Sequence, residues 1–287
     1  MAKVAVVTGS NKGVGFAIVK GLAKKFDGVI YLTARNNERG LKAVQELESQ
    51  GISAQFLQLD IMDKASVEKA RDEIKSKHEG IDILINNAGI AFNNDATEPM
   101  HVQAEVTVNA NYFGTKQTCD ILFPILKPGA RVVNVSSSCG FLPKVDGNEP
   151  AASNLRAKLA TSDSTLTVDE LDEIMKSYIE STKDGTYKEK GWGSSTYVAS
   201  KVGLSTLSRI QQRQFLSDPR KDIVLNHVHP GYINTDMSNF KGEKSPEEGA
   251  VSSLFCALLP PETSIKGKYV WHDCQIVDWV NGPKPAF

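Results

Sequence analysis

Short runs of apolar, β-branched residues alternate with longer amphipathic stretches along most of the chain. The apolar runs predict seven strands, at residues 4–7, 29–33, 54–59, 83–85, 132–135, 223–228 and 268–271. The amphipathic stretches predict helices at residues 14–26, 38–50, 64–77, 100–125 and 195–216. Strands that alternate with helices are typical of βαβ units, which build a parallel sheet covered on both faces. The pattern predicts one α/β domain, residues 1–287, with a doubly wound, mainly parallel sheet.

One segment interrupts this alternation. Residues 138–192 have little strand character, although residues 167–170 (TVDE) form a capping-box pattern that begins a helix. Apolar residues follow at helical spacing, at positions 171, 174, 175, 178 and 179. We interpret residues 141–192 as a helical insertion. It precedes residue 197, so we expect it to border the functional site; a surface decoration remote from that site is the alternative.

Composition argues against several classes of function. The formal net charge is −1, whereas nucleic-acid-binding domains are usually strongly basic. No apolar run approaches the length of about 18 residues that a membrane span needs. The chain passes from Met1 almost directly into an apolar strand, so we expect no signal peptide and a cytoplasmic protein.

The cysteines and histidines show no metal-binding spacing. The four cysteines are widely separated and include no Cys-x-x-Cys pair, so we expect buried free thiols. His227 and His229 would share one face of a strand, but no carboxylate or thiol pattern accompanies them. We therefore expect no metal site.

A glycine-rich turn follows the first predicted strand. Gly9, Gly13 and Gly15, within residues 8–15 (TGSNKGVG), precede and open the first helix. Glycine permits a tight turn and lets phosphate approach backbone amides at a helix N-terminus. The spacing G-x-x-x-G-x-G differs from the common dinucleotide fingerprint, but it occupies the same place between strand and helix. We expect a hydride-carrying dinucleotide here, on a Rossmann-type sheet.

The end of the second strand favours NADPH over NADH. NADH-dependent enzymes usually place an acid there, and residues 33–37 (TARNN) contain none. Arg35 would pair with a 2′-phosphate through its planar guanidinium, and Lys12 would add a second positive charge. Taken alone, each base is more typical of a solvated surface.

Two further strand ends supply expected cofactor contacts. Asp60 and Ile61 end the third strand, where the adenine would lie, although Asp60 would equally well cap the next helix. Residues 86–89 (NNAG) end the fourth strand, and their small side chains would let the backbone pass close to a ligand. We expect Asn87 to contact the cofactor and Asn86 to be structural.

Tyr197 and Lys201 are the candidate catalytic pair. Their spacing of four places both on one helix face, about 5–6 Å apart. An ammonium beside a phenol favours the phenolate, so we expect Lys201 to lower the pKa of Tyr197 from about 10 and make it a proton donor. Ser137, at the end of the fifth strand, would polarise a carbonyl oxygen. Ser136 and Ser138 are expected to cap turns instead.

These residues resemble the ordered motifs of the short-chain dehydrogenases/reductases. The matching segments are residues 8–15, 86–89, 111–114 (NYFG), Ser137, Tyr197 with Lys201, and residues 230–235 (PGYINT). The insertion, the pair at residues 191–192 (GW) and residues 245–250 (SPEEGA) resemble more specifically the monomeric NADPH-dependent carbonyl reductases, insect-type relatives included.

The resemblance implies a role for each matching residue. Tyr197 would be the general acid, Lys201 would bind the nicotinamide ribose, and Ser137 would hold the carbonyl oxygen. Asn111, rather than the nearby Asn109, would support a water in a proton relay to Lys201.

Residues and resemblance together define the expected cofactor and substrate contacts. The cofactor contacts are Gly9, Asn11, Lys12, Gly13, Val14, Gly15, Arg35, Asp60, Ile61, Asn87, Ala88, Gly89, Tyr197, Lys201, Pro230, Gly231, Ile233 and Thr235. Gln103 and Tyr232 would line the substrate pocket with Ser137. Tyr232 stands where vertebrate members carry tryptophan, and His229 stands where they carry cysteine.

The expected function is NADPH-dependent reduction of aldehydes, ketones or quinones. Two alternatives stay open: a non-catalytic NADPH-binding sensor, and an NADP-dependent alcohol dehydrogenase that works mainly in oxidation. We expect a small-molecule carbonyl substrate, with neither nucleic acid nor membrane as partner. In related reductases the helices around the catalytic tyrosine often build the subunit interface; the insertion would cover them, which predicts a monomer.

Overall fold

The computed structural model describes residues 2–93 and 95–282, which form a doubly wound α/β fold of the Rossmann type. Within them one sheet contains the strands β1 (Lys3–Val7), β2 (Gly28–Ala34), β3 (Gln55–Gln58), β4 (Ile81–Asn86), β5 (Leu126–Val135), β6 (Val224–Val228), β7 (Tyr269–Val270) and β8 (Ile276–Val277). Their order is β3-β2-β1-β4-β5-β6-β7-β8. The first seven are parallel, and β8 runs antiparallel to β7.

The sheet has eight strands rather than the expected seven. The additional strand, β8, is only two residues long, so it leaves no alternating pattern in the sequence. It is nevertheless held by the backbone of β7, which pairs Tyr269 with Val277 and Val270 with Ile276. The prediction of a mainly parallel, doubly wound sheet is confirmed.

Helices cover both faces of this sheet. They are α1 (Gly13–Ala23), α2 (Asn37–Ser49), α3 (Lys64–Lys77), α4 (Met100–Val108), α5 (Thr115–Leu122), α6 (Ala151–Ala160), α7 (Val168–Asp184), α8 (Thr196–Phe215), α9 (Pro246–Gly249) and α10 (Val251–Ala257). The predicted helix at residues 100–125 is interrupted by a π-helical turn, Asn109–Gly114, between α4 and α5. The patterns that predicted helices did not include α6, α9 or α10.

Strand β1 lies in the middle of the core. Successive side chains of a strand point to opposite faces, so Val7 packs in one apolar cluster with Ile18 of α1 and Val6 packs in another with Ile74 of α3. All four side chains have no exposed surface. Burial on both faces explains why this strand appears in the sequence as an uninterrupted apolar run.

The insertion packs against the helices beside the sheet. Leu171 and Met175 of α7 share an apolar cluster with Val108 of α4 and Val202 of α8. A Cβ at Gly203 would lie 2.8 Å from Met175 Sδ, so α7 approaches α8 closely. The insertion therefore contacts the helix that carries Tyr197 and Lys201.

The described residues contain neither a membrane-spanning helix nor a cluster of metal-binding side chains. None of their helices is both long and apolar enough to cross a membrane. Across residues 2–93 and 95–282 there is also no group of three or more histidine, cysteine or acidic side chains that would hold a metal ion.

Candidate active site

The candidate site lies at the carboxyl ends of the central strands. The chain passes from β3, on one side of β1, to β4 on the other side, so the strand order reverses between β1 and β4. Open sheets of this kind bind ligands in the crevice outside this switch point. The loops after β1, β4, β5 and β6 surround that crevice.

Three glycines shape the turn between β1 and α1. Gly9 and Gly13 have φ angles of 59° and 57°, which glycine adopts without strain. A Cβ at Gly15 would lie 2.4 Å from Asn87 Nδ2, so no larger residue fits there. Helix α1 begins at Gly13 without a side-chain cap, which leaves its first amide groups to an anionic ligand. The turn fits the pyrophosphate of a dinucleotide.

Asn87 braces this turn, and Asn86 lies beneath it. Asn87 Nδ2 donates to the carbonyl oxygens of Thr8 and Gly9, each at 3.0 Å. Asn86 is buried and donates to Asn134 Oδ1 at 2.8 Å. The structure thus gives Asn86 the structural position that we expected, and it shows Asn87 holding the glycine turn in shape.

The next two residues connect the glycine turn to the catalytic side chains. The Ala88 amide donates to Thr8 Oγ1 at 3.0 Å. A Cβ at Gly89 would lie 3.1 Å from Asn111 Oδ1 and 3.5 Å from Lys201 Nζ. Residues 88–89 therefore pass between the two ends of the site, where small side chains are required.

Arg35 and Lys12 are the bases expected to select NADPH. Both side chains are exposed, Arg35 immediately after β2 and Lys12 in the glycine turn. The Lys12 ammonium forms an ion pair with Asp236 in the loop after β6. Exposed pairs contribute little stability, so Asp236 would give up Lys12 to a 2′-phosphate at small cost.

The other expected contacts near the adenine and pyrophosphate are less exposed. The Asp60 carboxylate accepts from the Met62 amide at 3.0 Å, within the turn before α3, whereas Asp63 caps that helix, so the alternative that Asp60 caps it is wrong. Ile61 is buried. Asn11 and Val14 are half-buried in the glycine turn.

The three expected catalytic side chains converge where β5 meets α8. The Ser137 hydroxyl lies close enough to the Tyr197 phenol to lower its pKa, against the effect of burial. Lys201 Nζ lies 5.7 Å from the centroid of the Tyr197 ring and donates to the Val135 carbonyl at 2.8 Å. Helix α8 begins at Thr196, with the hydroxyl of Ser195 capping its first turn, so helical spacing places Tyr197 and Lys201 together.

The expected lowering of the Tyr197 pKa is wrong for this structure. Burial raises the pKa of the phenol, and the nearby Cys139 thiol adds to this, while the Ser137 hydroxyl opposes it. Burial also lowers the pKa of Lys201 to about 8. The ammonium is directed to the Val135 carbonyl, so it does not offset the desolvation of Tyr197. At neutral pH both groups therefore hold their protons.

A glycine lets α8 approach β5 closely enough for this convergence. A Cβ at Gly140 would lie 2.3 Å from Ser136 Oγ and 2.8 Å from the Lys201 carbonyl oxygen. The hydroxyls of Ser136 and Ser205 are also hydrogen-bonded, at 2.7 Å. The Ser136 hydroxyl thus bonds helix α8 rather than capping a turn as we had expected, and Gly140 is a residue that the sequence did not indicate.

Asn111 lies in the π-helical turn and connects three segments. Its Oδ1 accepts from the Ile90 amide at 2.8 Å, and its Nδ2 donates to the Ile90 carbonyl at 2.9 Å and to Ser200 Oγ at 3.0 Å. Asn111 has no exposed surface. It therefore holds the loop after β4 against the residue that precedes Lys201.

The loop after β6 faces the glycine turn. Thr235 Cγ2 would lie 3.3 Å from a Cβ at Gly13. Gly231 has a φ of 103°, and the half-buried Pro230 precedes it. Ile233 is buried under this loop. The expected nicotinamide contacts thus lie across the crevice from the start of α1.

Gln103 and Tyr232 are the two remaining substrate candidates. Gln103 Nε2 donates to the Glu98 carbonyl at 2.8 Å. Tyr232 lies next to the site in sequence, but its side chain is 47% exposed. That Gln103 and Tyr232 line the substrate pocket with Ser137 stays a prediction.

The thiols differ in part from the expectation of burial. All four are free, but only Cys119 and Cys256 are buried, while Cys139 and Cys274 are half-buried. Cys139 lies in the loop after β5, where its amide donates to Ser137 Oγ at 3.2 Å. A position beside the open crevice accounts for its partial exposure.

Known proteins resemble this chain over most of its length. Carbonyl reductase (NADPH) 1 of Homo sapiens is 45% identical over 261 residues, which cover 90% of this chain and 92% of that protein. Carbonyl reductase (NADPH) 3 of Mus musculus is 40% identical over 279 residues, covering 97% and 99%. The structure of salutaridine reductase from Papaver somniferum has a TM-score of 0.81 at 30% identity, covering 95% of this chain and 100% of that one.

The family model for short chain dehydrogenases matches residues 3–159. That match spans β1 to α6 and includes the glycine turn, Asn111 and Ser137. Together with the identity to the curated relatives, it shows that this chain belongs to the short-chain dehydrogenase family.

Proposed function

We propose that this protein reduces the carbonyl group of aldehydes, ketones or quinones with NADPH. The observation that carries the proposal is the convergence of three side chains: Ser137 beside the Tyr197 phenol, with Lys201 Nζ 5.7 Å from the centroid of the phenol ring. The relatives named NADPH carbonyl reductases support the same reaction and the same cofactor.

The residues of the crevice fit NADPH. The uncapped start of α1 and the glycines at 9, 13 and 15 would hold its pyrophosphate. Arg35 and Lys12 would hold the 2′-phosphate, because both are exposed bases and no acid occupies residues 33–37. When bound, the reduced nicotinamide supplies the hydride.

The chain's own groups would handle the carbonyl oxygen and its proton. Ser137 Oγ and the Tyr197 hydroxyl would both donate to that oxygen and so polarise the carbonyl bond. Tyr197 holds its proton at neutral pH, and it would transfer that proton to the oxygen as negative charge develops there. Lys201, protonated below a pKa of about 8, would then stabilise the phenolate, and Asn111 would hold α8 in place.

Loss of the Tyr197 hydroxyl tests this assignment. NADPH oxidation should be measured with a reactive quinone and a dicarbonyl, with NADH as the cofactor control. Tyr197→Phe should lose turnover by about 100-fold or more, because it removes the general acid, while its affinity for NADPH should remain. Tyr187→Phe, a half-buried tyrosine of the insertion, is the matched control and should keep wild-type turnover.

Two outcomes would reject the proposal. Unchanged turnover in Tyr197→Phe would remove the assigned acid. Wild-type protein that binds NADPH but reduces no carbonyl compound would instead indicate the non-catalytic sensor.

We also propose that residues 1–287 form a single domain in the cytoplasm. One sheet takes strands from Lys3–Val7 to Ile276–Val277, which supports a single domain. The four free thiols are typical of proteins in a reducing compartment.

A further inference from the structure

Three buried side chains from the last quarter of the chain contact the backbone of the loop that carries Ser137. The Tyr269 hydroxyl donates to the Ser137 carbonyl at 2.5 Å. The Ser138 amide donates to His229 Nδ1 at 2.9 Å. Trp279 Nε1 donates to the Gly140 carbonyl at 2.6 Å.

We propose that His229, Tyr269 and Trp279 form a loop clamp, which positions the Ser137 hydroxyl for catalysis. They are positioning residues, because their contacts reach the peptide group between Ser137 and Ser138 and the Gly140 carbonyl rather than the reacting atoms. All three lie outside residues 3–159, the part of the chain that the short chain dehydrogenase family model matches. The inference rests on the proposed role of Ser137 in carbonyl reduction.

The loop clamp acts together with the loop's own turn. The loop consists of Ser136, Ser137 and a single 3-10 turn, Ser138–Gly140, between the end of β5 and Phe141, and the Gly140 amide closes that turn by donating to the Ser137 carbonyl at 2.8 Å. Within the loop, Ser137 Oγ accepts only a long hydrogen bond, at 3.2 Å, from the Cys139 amide. A hydroxyl that must meet both Tyr197 and a carbonyl oxygen depends on the backbone that carries it.

Each member of the loop clamp is itself held rigidly. His229, Tyr269 and Trp279 are 2%, 1% and 1% exposed. Tyr269 stacks on Phe141 and on His227, with ring centroids at 6.2 and 4.8 Å. Burial raises the pKa of the Tyr269 phenol well above its usual value, so the phenol remains a hydrogen-bond donor.

Strand β8 explains how the chain end reaches the catalytic loop. Trp279 follows this two-residue strand, which turns back antiparallel to β7. This reversal of direction lets the Trp279 indole donate a hydrogen bond to the Gly140 carbonyl, 139 residues away in sequence. The short eighth strand therefore brings a residue to the site.

Tyr269→Phe is the sharpest test, because it removes one hydroxyl and keeps the stacked ring. We expect kcat/KM for a quinone to fall about fivefold, the effect of losing one hydrogen bond that holds Ser137. The affinity for NADPH should stay within twofold of wild type. Tyr31→Phe is the matched control: Tyr31 is also fully buried, and its hydroxyl bonds His78 Nε2 at 2.9 Å.

The control separates positioning from stability. Both variants should lower the thermal midpoint by similar amounts, but Tyr31→Phe should keep wild-type kcat/KM. A Tyr269→Phe protein with kcat/KM within twofold of wild type would overturn the inference. So would an equal loss of kcat/KM in Tyr31→Phe, since this would make the effect a consequence of general destabilisation.

A second pair of variants tests His229 without relying on Tyr269. Asparagine places an oxygen near the position of Nδ1, whereas leucine has no acceptor. His229→Asn should therefore retain several-fold more kcat/KM than His229→Leu, with similar NADPH affinity in both. Equal kcat/KM in the two variants would show that the acceptor for the Ser138 amide does not matter.

These experiments distinguish the loop clamp from the proposed function. Should wild type reduce the quinone and Tyr197→Phe fail to, the proposed function stands, and a fully active Tyr269→Phe would then remove only the loop clamp. If Tyr197→Phe keeps full turnover, the proposed function is rejected, whatever the kcat/KM values of the loop-clamp variants.

Discussion

His227 lies in β6 with no exposed surface, and neither of its ring nitrogens has a hydrogen-bond partner among the residues that the structure describes. Its ring stacks on Tyr269 and packs edge-on against Trp279. Burial, and then the positive charge of Arg209, lowers the pKa of His227 well below its usual 6.5. The folded protein therefore holds this imidazole neutral, next to two members of the loop clamp.

Mild acid should destabilise the protein through His227. Above pH 6.5 the imidazole is neutral in both the folded and the unfolded chain, so it contributes no pH dependence. Below pH 6.5 the unfolded chain takes up a proton that the folded chain does not bind. The free energy of unfolding should then fall by about 1.4 kcal/mol for each pH unit on account of this residue.

Urea unfolding between about pH 7.5 and 5 measures this effect. His227→Phe should lose stability with a shallower slope than wild type, whatever its stability at neutral pH. His101→Gln, an exposed histidine on α4, is the control and should keep the wild-type slope. Identical slopes for wild type and His227→Phe would contradict the argument.

Helix α7 is the element whose sequence signals and structure agree best. Thr167 and Glu170 form the predicted capping box, with both reciprocal hydrogen bonds present. Gly185 ends the helix in the left-handed conformation, at a φ of 81°. Its apolar face buries Leu171 and Met175 against α4 and α8, so the stability of the insertion is coupled to the catalytic helix.

Thr167→Ala should destabilise the protein by about 1 kcal/mol, since it removes the side-chain cap from the first turn of α7. The free energy of unfolding from urea titration measures the change. Thr161→Ala, which removes another surface hydroxyl bonded to the Lys158 carbonyl, should cost less because no helix N-terminus depends on it. A Thr167→Ala protein as stable as wild type would mean that the insertion unfolds independently of the rest.

On the scale of the whole molecule, the insertion covers one side of the catalytic helix. Met175 packs onto α8 at Gly203, and Asp172 accepts a hydrogen bond from the Tyr112 hydroxyl at 2.7 Å. Tyr112 itself lies in the π-helical turn after α4. This side of α4 and α8 is thus occupied by the chain's own α7.

The protein should therefore be a monomer of 31.3 kDa. A second copy could pair through α4 and α8 only by displacing the apolar face of α7. Exposing that face to water would cost more free energy than the new contact would contribute. Sedimentation velocity at micromolar concentration, with and without NADPH, measures the mass in solution. A stable dimer or tetramer would show that the insertion does not prevent association.

Periodicity and local motifs were enough for the main elements and for the catalytic pair. A parallel strand such as β1 is buried on both faces and is therefore a continuous apolar run. A helix such as α8 has 3.6 residues per turn, so side chains four positions apart share one face. Each element thus leaves a pattern within a few neighbouring positions. The same holds for the glycine turn, where φ angles near 60° at Gly9 and Gly13 explain the residue type. Local spacing likewise placed Tyr197 and Lys201 on one face.

Other features depend on residues far apart in the chain. The π-helical turn at Asn109–Gly114 has no periodic signature, and it is held by contacts such as the one between Asn111 and Ser200, 89 positions later. Asp236 pairs with Lys12 across the crevice, over 224 positions. No pattern within either segment could indicate these partners.

The amino-acid sequence by itself determined where the first seven strands and the main helices lie, which residues are the candidates for the chemistry, and which family the motifs resemble. These depend on interactions between neighbours of at most a few residues. Only the tertiary structure decided the direction in which the pKa of Tyr197 shifts, because burial raises it while the Lys201 ammonium is directed to the Val135 carbonyl. It also decided the loop clamp, because Tyr269 and Trp279 meet the Ser137 loop only after β7 and β8 have joined the sheet.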